Sequence, residues 1–243
     1  MRVGILVVGS LLWDRRCERE AWRRSRVAVD RAVHVEVQIR YGRRAESRAN
    51  TFTMTIGSDG RPGQAVVVPC RTTQTSVPTF FAEAEALWQA EQPGAPAGNI
   101  SASWGCVGVR FRDEPPPTDW STPWAERFHA KKASPVAPVN SDGLLGIPWP
   151  RAVADQAIEV DLILATATRA ERNHPHPEEI ADAWVNQNQG HERYFFENVR
   201  HGIRTPDDVQ IWRRIEERRP AWLSGDGYGE PIAVLRAESR SKG

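Results

Sequence analysis

Apolar residues along this chain fall first into short continuous or alternating runs, and beyond about residue 170 into helical spacing. The run Val3 to Val8 stops at Gly9-Ser10 and gives way to Leu11-Leu12-Trp13 and an Arg-rich, helix-prone stretch. That pattern predicts a buried first strand, a tight Gly turn and then a turn or helix start. Val33 to Ile39 alternates loosely and Thr51 to Ile56 more clearly. Gly63 to Pro69 is a compact apolar run after the turn Ser58 to Pro62. Ser103 to Arg112 alternates again, with Val107, Val109 and Phe111 on one face. Ile158 to Ala165 reads as a further strand.

A helix is predicted over 78–91, with Pro78 at its first position and Pro93-Gly94 ending it. Residues 113–150, rich in Pro, Trp and Ser, read as a long ordered excursion. Later, Pro177 with Glu178-Glu179 opens one helix and Thr205 with Pro206-Asp207-Asp208 another. His191 to Arg200 is helical and closed by Gly202, and Pro220 ends the last long helix. In these helices Ile180, Trp184, Tyr194, Phe195, Val199, Ile211, Trp212 and Ile215 form an apolar stripe. Such a stripe packs onto a partner surface. The order of elements is not a regular βαβ alternation. It predicts an α+β fold: a mixed, curved or barrel-like sheet with flanking helices. The expected organisation is one α+β domain over 1–170, with a helical C-terminal extension over 171–243 packed on it.

Composition narrows the function classes. A formal charge of +1 leaves no basic excess for nucleic acid, and the arginines alternate with acids and apolar residues. Cys17, Cys70 and Cys106 show no CxxC pairing, which argues against a disulfide framework or a zinc cluster and fits a reducing cytoplasm. No apolar run is long enough to span a bilayer and no signal peptide is expected. Ten tryptophans are unusual, and Trp120, Trp124, Trp149 and Trp222 are expected to brace long loops.

Glu91 breaks the pattern of its helix. At about 100° per residue, Phe80, Ala84, Leu87 and Trp88 share one face and Glu91 lies in the middle of it. Glu85 and Gln89 lie opposite, and Glu83 sits at the edge. An unpaired carboxylate there costs several kcal/mol or has its pKa forced up, as a general acid/base near neutrality requires. Alternatively the helix frays before Pro93 and the side chain swings into water. Periodicity alone leaves both readings open.

Other chemistry is sparser. Backbone amides at the Gly9 turn offer an anion site. In Arg40 to Ser47, Arg43 and Ser47 are the best candidates to contact a substrate carboxylate, although for any single one of these residues a charged hairpin loop is the favoured explanation. Asn173-His-Pro-His-Pro177 reads as a rigid turn rather than a metal pair. His191-Glu192 lacks the second His of a zinc-protease helix. No Gly-x-Ser-x-Gly elbow, P-loop or dinucleotide fingerprint is present.

Gly9-Ser10-Leu11-Leu12-Trp13 resembles the glycine-serine-leucine signature of the γ-glutamylcyclotransferase family. Gly63 to Pro69, followed by a helix ending Leu87-Trp88-Gln89-Ala90-Glu91, resembles a second pattern of that family. The likeness covers roughly residues 3–112. Val8 stands where the family usually has Tyr. Ala90 stands where it has Arg, and that departure weakens the match to the glutathione-specific branch. The resemblance implies a barrel-like mixed sheet with flanking helices. It implies Glu91 as catalytic acid/base. Val8, Gly9, Ser10, Leu11 and Leu12 would grip the γ-glutamyl group, with Arg43 and Ser47 nearby. The implied reaction cyclises a small-molecule γ-glutamyl amide, amine or peptide to 5-oxoproline. It uses no metal or organic cofactor and no nucleic-acid or membrane partner, and the oligomeric state stays open. Two alternatives are a non-catalytic binding protein of the same fold and an acyl transferase acting on γ-glutamyl amines.

Overall fold

The computed structural model describes residues 1–57, 61–154, 156–171, 174–187, 191–223 and 227–241. Among these residues nine strands carry the fold: β1 (Val3–Val7), β2 (Val33–Val37), β3 (Ile39–Ala45), β4 (Thr51–Ile56), β5 (Gly63–Pro69), β6 (Ser101–Ala102), β7 (Gly105–Phe111), β8 (Arg151–Ala152) and β9 (Leu162–Thr168). The helices are α1 (Cys17–Arg26), α2 (Val77–Glu91), α3 (Thr118–Ala130), α4 (Pro177–Val185), α5 (Arg193–Arg200), α6 (Asp208–Arg218), α7 (Pro220–Leu223) and α8 (Gly229–Ser241).

Seven strands form one mixed sheet in the order β6-β7-β9-β1-β5-β2-β8. β1 runs parallel to β9, with Val3 opposite Leu162, and antiparallel to β5, with Ile5 opposite Val68. The remaining pairs are antiparallel. The α+β class is therefore as expected, but the sheet is open rather than barrel-like. Its edges are the two-residue strands β6 and β8, short enough to limit edge-to-edge pairing. Every residue of β1 is buried, so this central strand is covered on both faces and reads as a continuous apolar run. β3 and β4 make a separate two-stranded sheet. This hairpin packs on β5 and β9, while α2 packs on β7 and β9.

Several local expectations change. The strand expected over Val33 to Ile39 ends at Val37, and β3 begins at Ile39. Arg43 thus lies in a strand beside a bulge between Tyr41 and Arg43, not in a hairpin loop. β9 runs from Leu162, four residues later than the expected start. α2 begins at Val77 with Ser76 as N-cap, so Pro78 is the second helical residue. Thr79 Oγ1 accepts the Ser76 amide at 3.4 Å there.

The excursion over 113–150 contains α3, with Pro123 inside it. Trp124 of α3 is fully buried, stacks on Phe81 at 5.5 Å and donates from Nε1 to the Gly143 carbonyl at 3.0 Å. It braces the following loop, but from a helix. Arg112 lies over the Trp149 ring.

In the C-terminal region α4 starts at Pro177 as expected, and Gly202 takes φ 69° after α5. α6 begins only at Asp208, leaving Pro206 outside it. Pro220 opens α7 instead of only ending a helix, and α8 was not anticipated. These helices are fastened to the sheet domain. The Gln64 amide donates to the Arg204 carbonyl at 2.7 Å, and the Arg204 amide returns a bond at 2.8 Å. Arg204 also holds Asp208 at 2.8 Å and grips Glu238 with two nitrogens, joining α6 to α8. Of the histidine turn, Asn173 lies outside the described residues. His174 bridges Arg40 at 2.7 Å and Asp207 at 3.2 Å. No helix among the described residues is long and apolar enough to cross a membrane.

Candidate active site

A cavity of about 720 Å³ opens where the end of β1, the tip of the β3–β4 hairpin, the end of α2 and the start of α5 converge. The sequence-derived candidates Val8, Gly9, Ser10, Leu11, Arg43, Ser47 and Glu91 all line it. Leu12 does not; it closes the short turn of residues 10–12, where its amide donates to the Gly9 carbonyl at 3.4 Å.

Glu91 is the last residue of α2. The Gln92 amide still bonds the Trp88 carbonyl at 2.8 Å, so the helix does not fray before it. The carboxylate is not unpaired, however. Its Oε2 accepts from Arg19 Nη2 at 2.9 Å, and its side chain is 22% exposed. The apolar-face argument did not anticipate this counter-ion, which comes from α1. Earlier in α2, the Glu83 carboxyl has its affinity for a proton raised. Burial raises it, partly offset by Arg26. The helical wheel placed Glu83 at the edge, yet it is 4% exposed because α1 and the Gln74 segment close over it. Glu83 does not line the cavity.

Arg19 is the hub of the site and is 4% exposed. Its Nη1 donates to Ser10 Oγ at 2.5 Å and to Asp14 at 3.0 Å, and its Nε donates to the Ala90 carbonyl at 3.2 Å. It therefore ties the Gly9 turn to the end of α2. Burial pushes the Asp14 carboxyl up, but hydrogen bonds from Arg16 and the charges of Arg19 and Arg16 outweigh this and hold it below its usual value. A second guanidinium, Arg48 from the hairpin tip, reaches Ser10 Oγ at 3.4 Å. It rests on the Tyr194 ring at 4.7 Å. Burial weakens the grip of Arg43 and Arg48 on their protons, yet guanidinium stays cationic at neutral pH.

Tyr194 reaches the cavity from α5. It is 4% exposed, and its hydroxyl accepts the Met54 amide at 3.1 Å. Burial raises its phenol above the ordinary value. Trp13 meets Tyr194 edge-on at 5.9 Å and donates from Nε1 to Asn198 at 2.8 Å, so α5 is clamped onto the Gly9 turn.

Gly9 has φ −178°, an extended conformation open to any residue. A Cβ there would instead lie 2.6 Å from the Tyr194 hydroxyl, so close approach is what requires glycine.

Arg19, Arg48 and Trp104 carried no local sequence signal, and Tyr194 read only as a member of the apolar stripe. Each joins the site through tertiary contact with residues far along the chain. Among the described residues no group of three or more His, Cys, Asp or Glu side chains is arranged to hold a metal. No protein-family model, curated protein or solved structure matches the chain.

Proposed function

We propose that this chain is a γ-glutamylcyclotransferase-like enzyme that works without a metal or organic cofactor. One observation supports this above the others: Glu91 and the Gly9–Leu11 turn, about eighty residues apart in sequence, line the same polar cavity. Arg19 bridges them directly. Its guanidinium stands beside Glu91, where Ala90 supplies none.

The γ-glutamyl group lies between these two elements, with its α-carboxylate toward the Gly9 turn and Arg48. Its α-amine attacks its own γ-carbonyl, and the five-membered ring closure gains from high effective molarity. Glu91 takes a proton from the attacking ammonium and returns one to the leaving nitrogen. Arg19 holds Oε2 of Glu91, and in this reading Oε1 carries the proton. The γ-carbonyl oxygen, as charge builds on it, is met by Ser10 and the turn amides. The products are 5-oxoproline and a free amine. The setting is the reducing cytoplasm, consistent with free Cys17, Cys70 and Cys106.

The test is a panel of γ-glutamyl dipeptides and amines assayed for 5-oxoproline release. Release that depends on Glu91 supports the enzyme. Tight binding of the panel without release would instead mark a binding protein of the same architecture.

A further inference from the structure

The cavity extends beyond the elements used above, along a line that runs from Glu91 to Trp104 and then Arg43. Trp104 is fixed next to the carboxylate. Its Nε1 donates to Gln92 Oε1 at 3.0 Å, and its ring stacks on Trp88 at 5.0 Å, one helical turn before Glu91. The Arg43 guanidinium lies 4.3 Å above the Trp104 ring.

Arg43 differs from its neighbours in what it touches. Arg16, Arg19 and Arg44 each pair with a carboxylate, respectively Asp14, Glu91 and Glu179. Arg43 has only the Trp104 face, and no ion pair or side-chain hydrogen bond to it is present among the described residues. Burial dominates its environment, offset only through space by charges that include Glu91 and Glu46. A guanidinium carries five donors in a planar fork. Arg43 is half-buried on the cavity wall, the indole face accepts none of these donors in plane, and a carboxylate satisfies two of them at once.

A second observation points to a polar ligand at the same place. Thr166 and Thr168 alternate along β9, so they share one face, and both line the cavity. Both hydroxyl oxygens are buried, and neither has a hydrogen-bond partner. Thr166 is only 6% exposed. Buried hydroxyls are normally satisfied, so two unsatisfied ones on a cavity wall mark a place where a ligand supplies the partner. The adjoining residue Arg169 donates its amide to the Trp104 carbonyl at 2.8 Å, which ties the end of β9 to the same tryptophan.

The geometry points to a leaving-group subsite in which Arg43, seated on Trp104 beside Thr166 and Thr168, receives the carboxylate of the departing amine. The preferred substrates are then γ-glutamyl amino acids or peptides with a free carboxylate, and neutral γ-glutamyl amines are poor ones. The assignment rests on the cyclotransferase reading for its orientation: the nitrogen that Glu91 protonates stands nearest Trp104, so its substituent runs over the indole toward Arg43.

Two arms separate this subsite from the chemistry. In the first, kcat/KM is compared for γ-glutamyl-alanine and its neutral analogue γ-glutamyl-alaninamide. The wild type favours the acid by about tenfold or more, the size expected of a charge-assisted hydrogen-bonded pair. Arg43→Gln brings the two within about twofold, and Arg43→Lys keeps part of the preference because the charge remains. In the second arm, the same compounds are titrated by calorimetry into Glu91→Gln, with and without Arg43→Gln. The acid binds more tightly, and only while Arg43 is present. Charge-selective binding with no 5-oxoproline from any wild-type reaction sinks the cyclotransferase reading and leaves the anion subsite standing. Equal binding of acid and amide, a preference that survives Arg43→Gln in a protein with an unchanged melting curve, or no binding of either compound overturns the subsite.

Discussion

Glu91 Oε2 accepts a hydrogen bond from Arg19 Nη2 at 2.9 Å, and this pair joins the end of α2 to α1 inside the cavity. In the proposed mechanism this general base is also half of an ion pair, with one oxygen engaged by Arg19. Glu91→Gln keeps the size of the side chain and its acceptor for Arg19 while removing the titratable proton. Turnover should fall by about 10²-fold or more with the melting temperature nearly unchanged. A folded Glu91→Gln protein with wild-type turnover would remove Glu91 from the mechanism.

Arg19 is expected to matter for both stability and activity. Its side chain is 5% exposed, and it holds Asp14, Glu91, Ser10 and the Ala90 carbonyl together. Arg19→Met leaves two carboxylates without their shared cation, and breaking a buried pair in this way costs about 3 kcal/mol. Chemical denaturation should show that loss. Activity should fall as well, because the Gly9 turn and Glu91 are no longer registered to each other. A stability change under about 0.5 kcal/mol, the size of an ordinary surface substitution, would contradict the hub role.

How much of this was legible beforehand differs by element. β4 and β5 have the boundaries read from their β-branched runs, Thr51 to Ile56 and Gly63 to Pro69. Their side chains are nearly all buried, so pattern and structure coincide. Helical periodicity set Glu91 on the apolar face but left its role open, and the resemblance of the helix end chose between the two readings; the structure puts it on the cavity wall. α3 was not legible, because Pro115 to Pro117 and Pro123 read as loop punctuation, while burial of Trp124 and Phe128 against the core holds the helix together. β3 was missed because Gly42 and a run of charges resemble a turn. The bulge at Tyr41/Arg43 accommodates them within a strand. The closed sheet expected by resemblance did not appear, since strand order is a long-range property that local pattern does not encode. Arg19 and Arg48 were invisible for the same reason, and Tyr194 read only as packing.

Gly9 and Tyr194 make a pair suited to a double-mutant cycle. Gly9→Ala places a methyl 2.6 Å from the Tyr194 hydroxyl, which is itself held by the Met54 amide. Overpacking of this kind costs about 1–3 kcal/mol. Tyr194→Phe alone leaves the Met54 amide without its acceptor, at about 1 kcal/mol or more. In the double variant the methyl faces ring carbon Cζ, 3.6 Å away, an ordinary contact. The combined loss should be smaller than the sum of the two. Strict additivity in thermal or denaturant melts would show that Gly9 is required for some other reason.

Glu83 gives the chain a pH-dependent weakness. Burial raises its folded pKa above the ordinary 4.5, with Arg26 and Gln74 only partly opposing the shift. For a carboxyl raised on folding, the favourable contribution is fully present below the unfolded pKa and is lost as pH rises through the folded one. Glu83→Gln removes this loss. The variant should therefore gain stability relative to wild type as pH is taken from about 4 to 7, measured by urea midpoints at each pH. A difference that is flat or falls with pH would mean that the Arg26 pair outweighs burial.

The C-terminal helices supply the last test. Tyr194 of α5 lines the cavity, α4 packs on β4, and the Gln64–Arg204 pair of backbone bonds stitches the segment before α6 to β5. Removing residues after 176 strips Tyr41 of Trp184, Tyr194 and Phe195, which meet it at 5.1, 6.4 and 6.4 Å. It also opens one wall of the site. Exposed apolar surface of that extent is rarely tolerated by a soluble monomer, so the 1–176 fragment should aggregate. If the fragment stays monomeric in sedimentation and melts cooperatively, the helices are an independent unit. A soluble fragment that still turned over substrate would show further that Tyr194 and the clamp on the Gly9 turn are dispensable for the chemistry, leaving the turn, Arg19 and Glu91 as the working set.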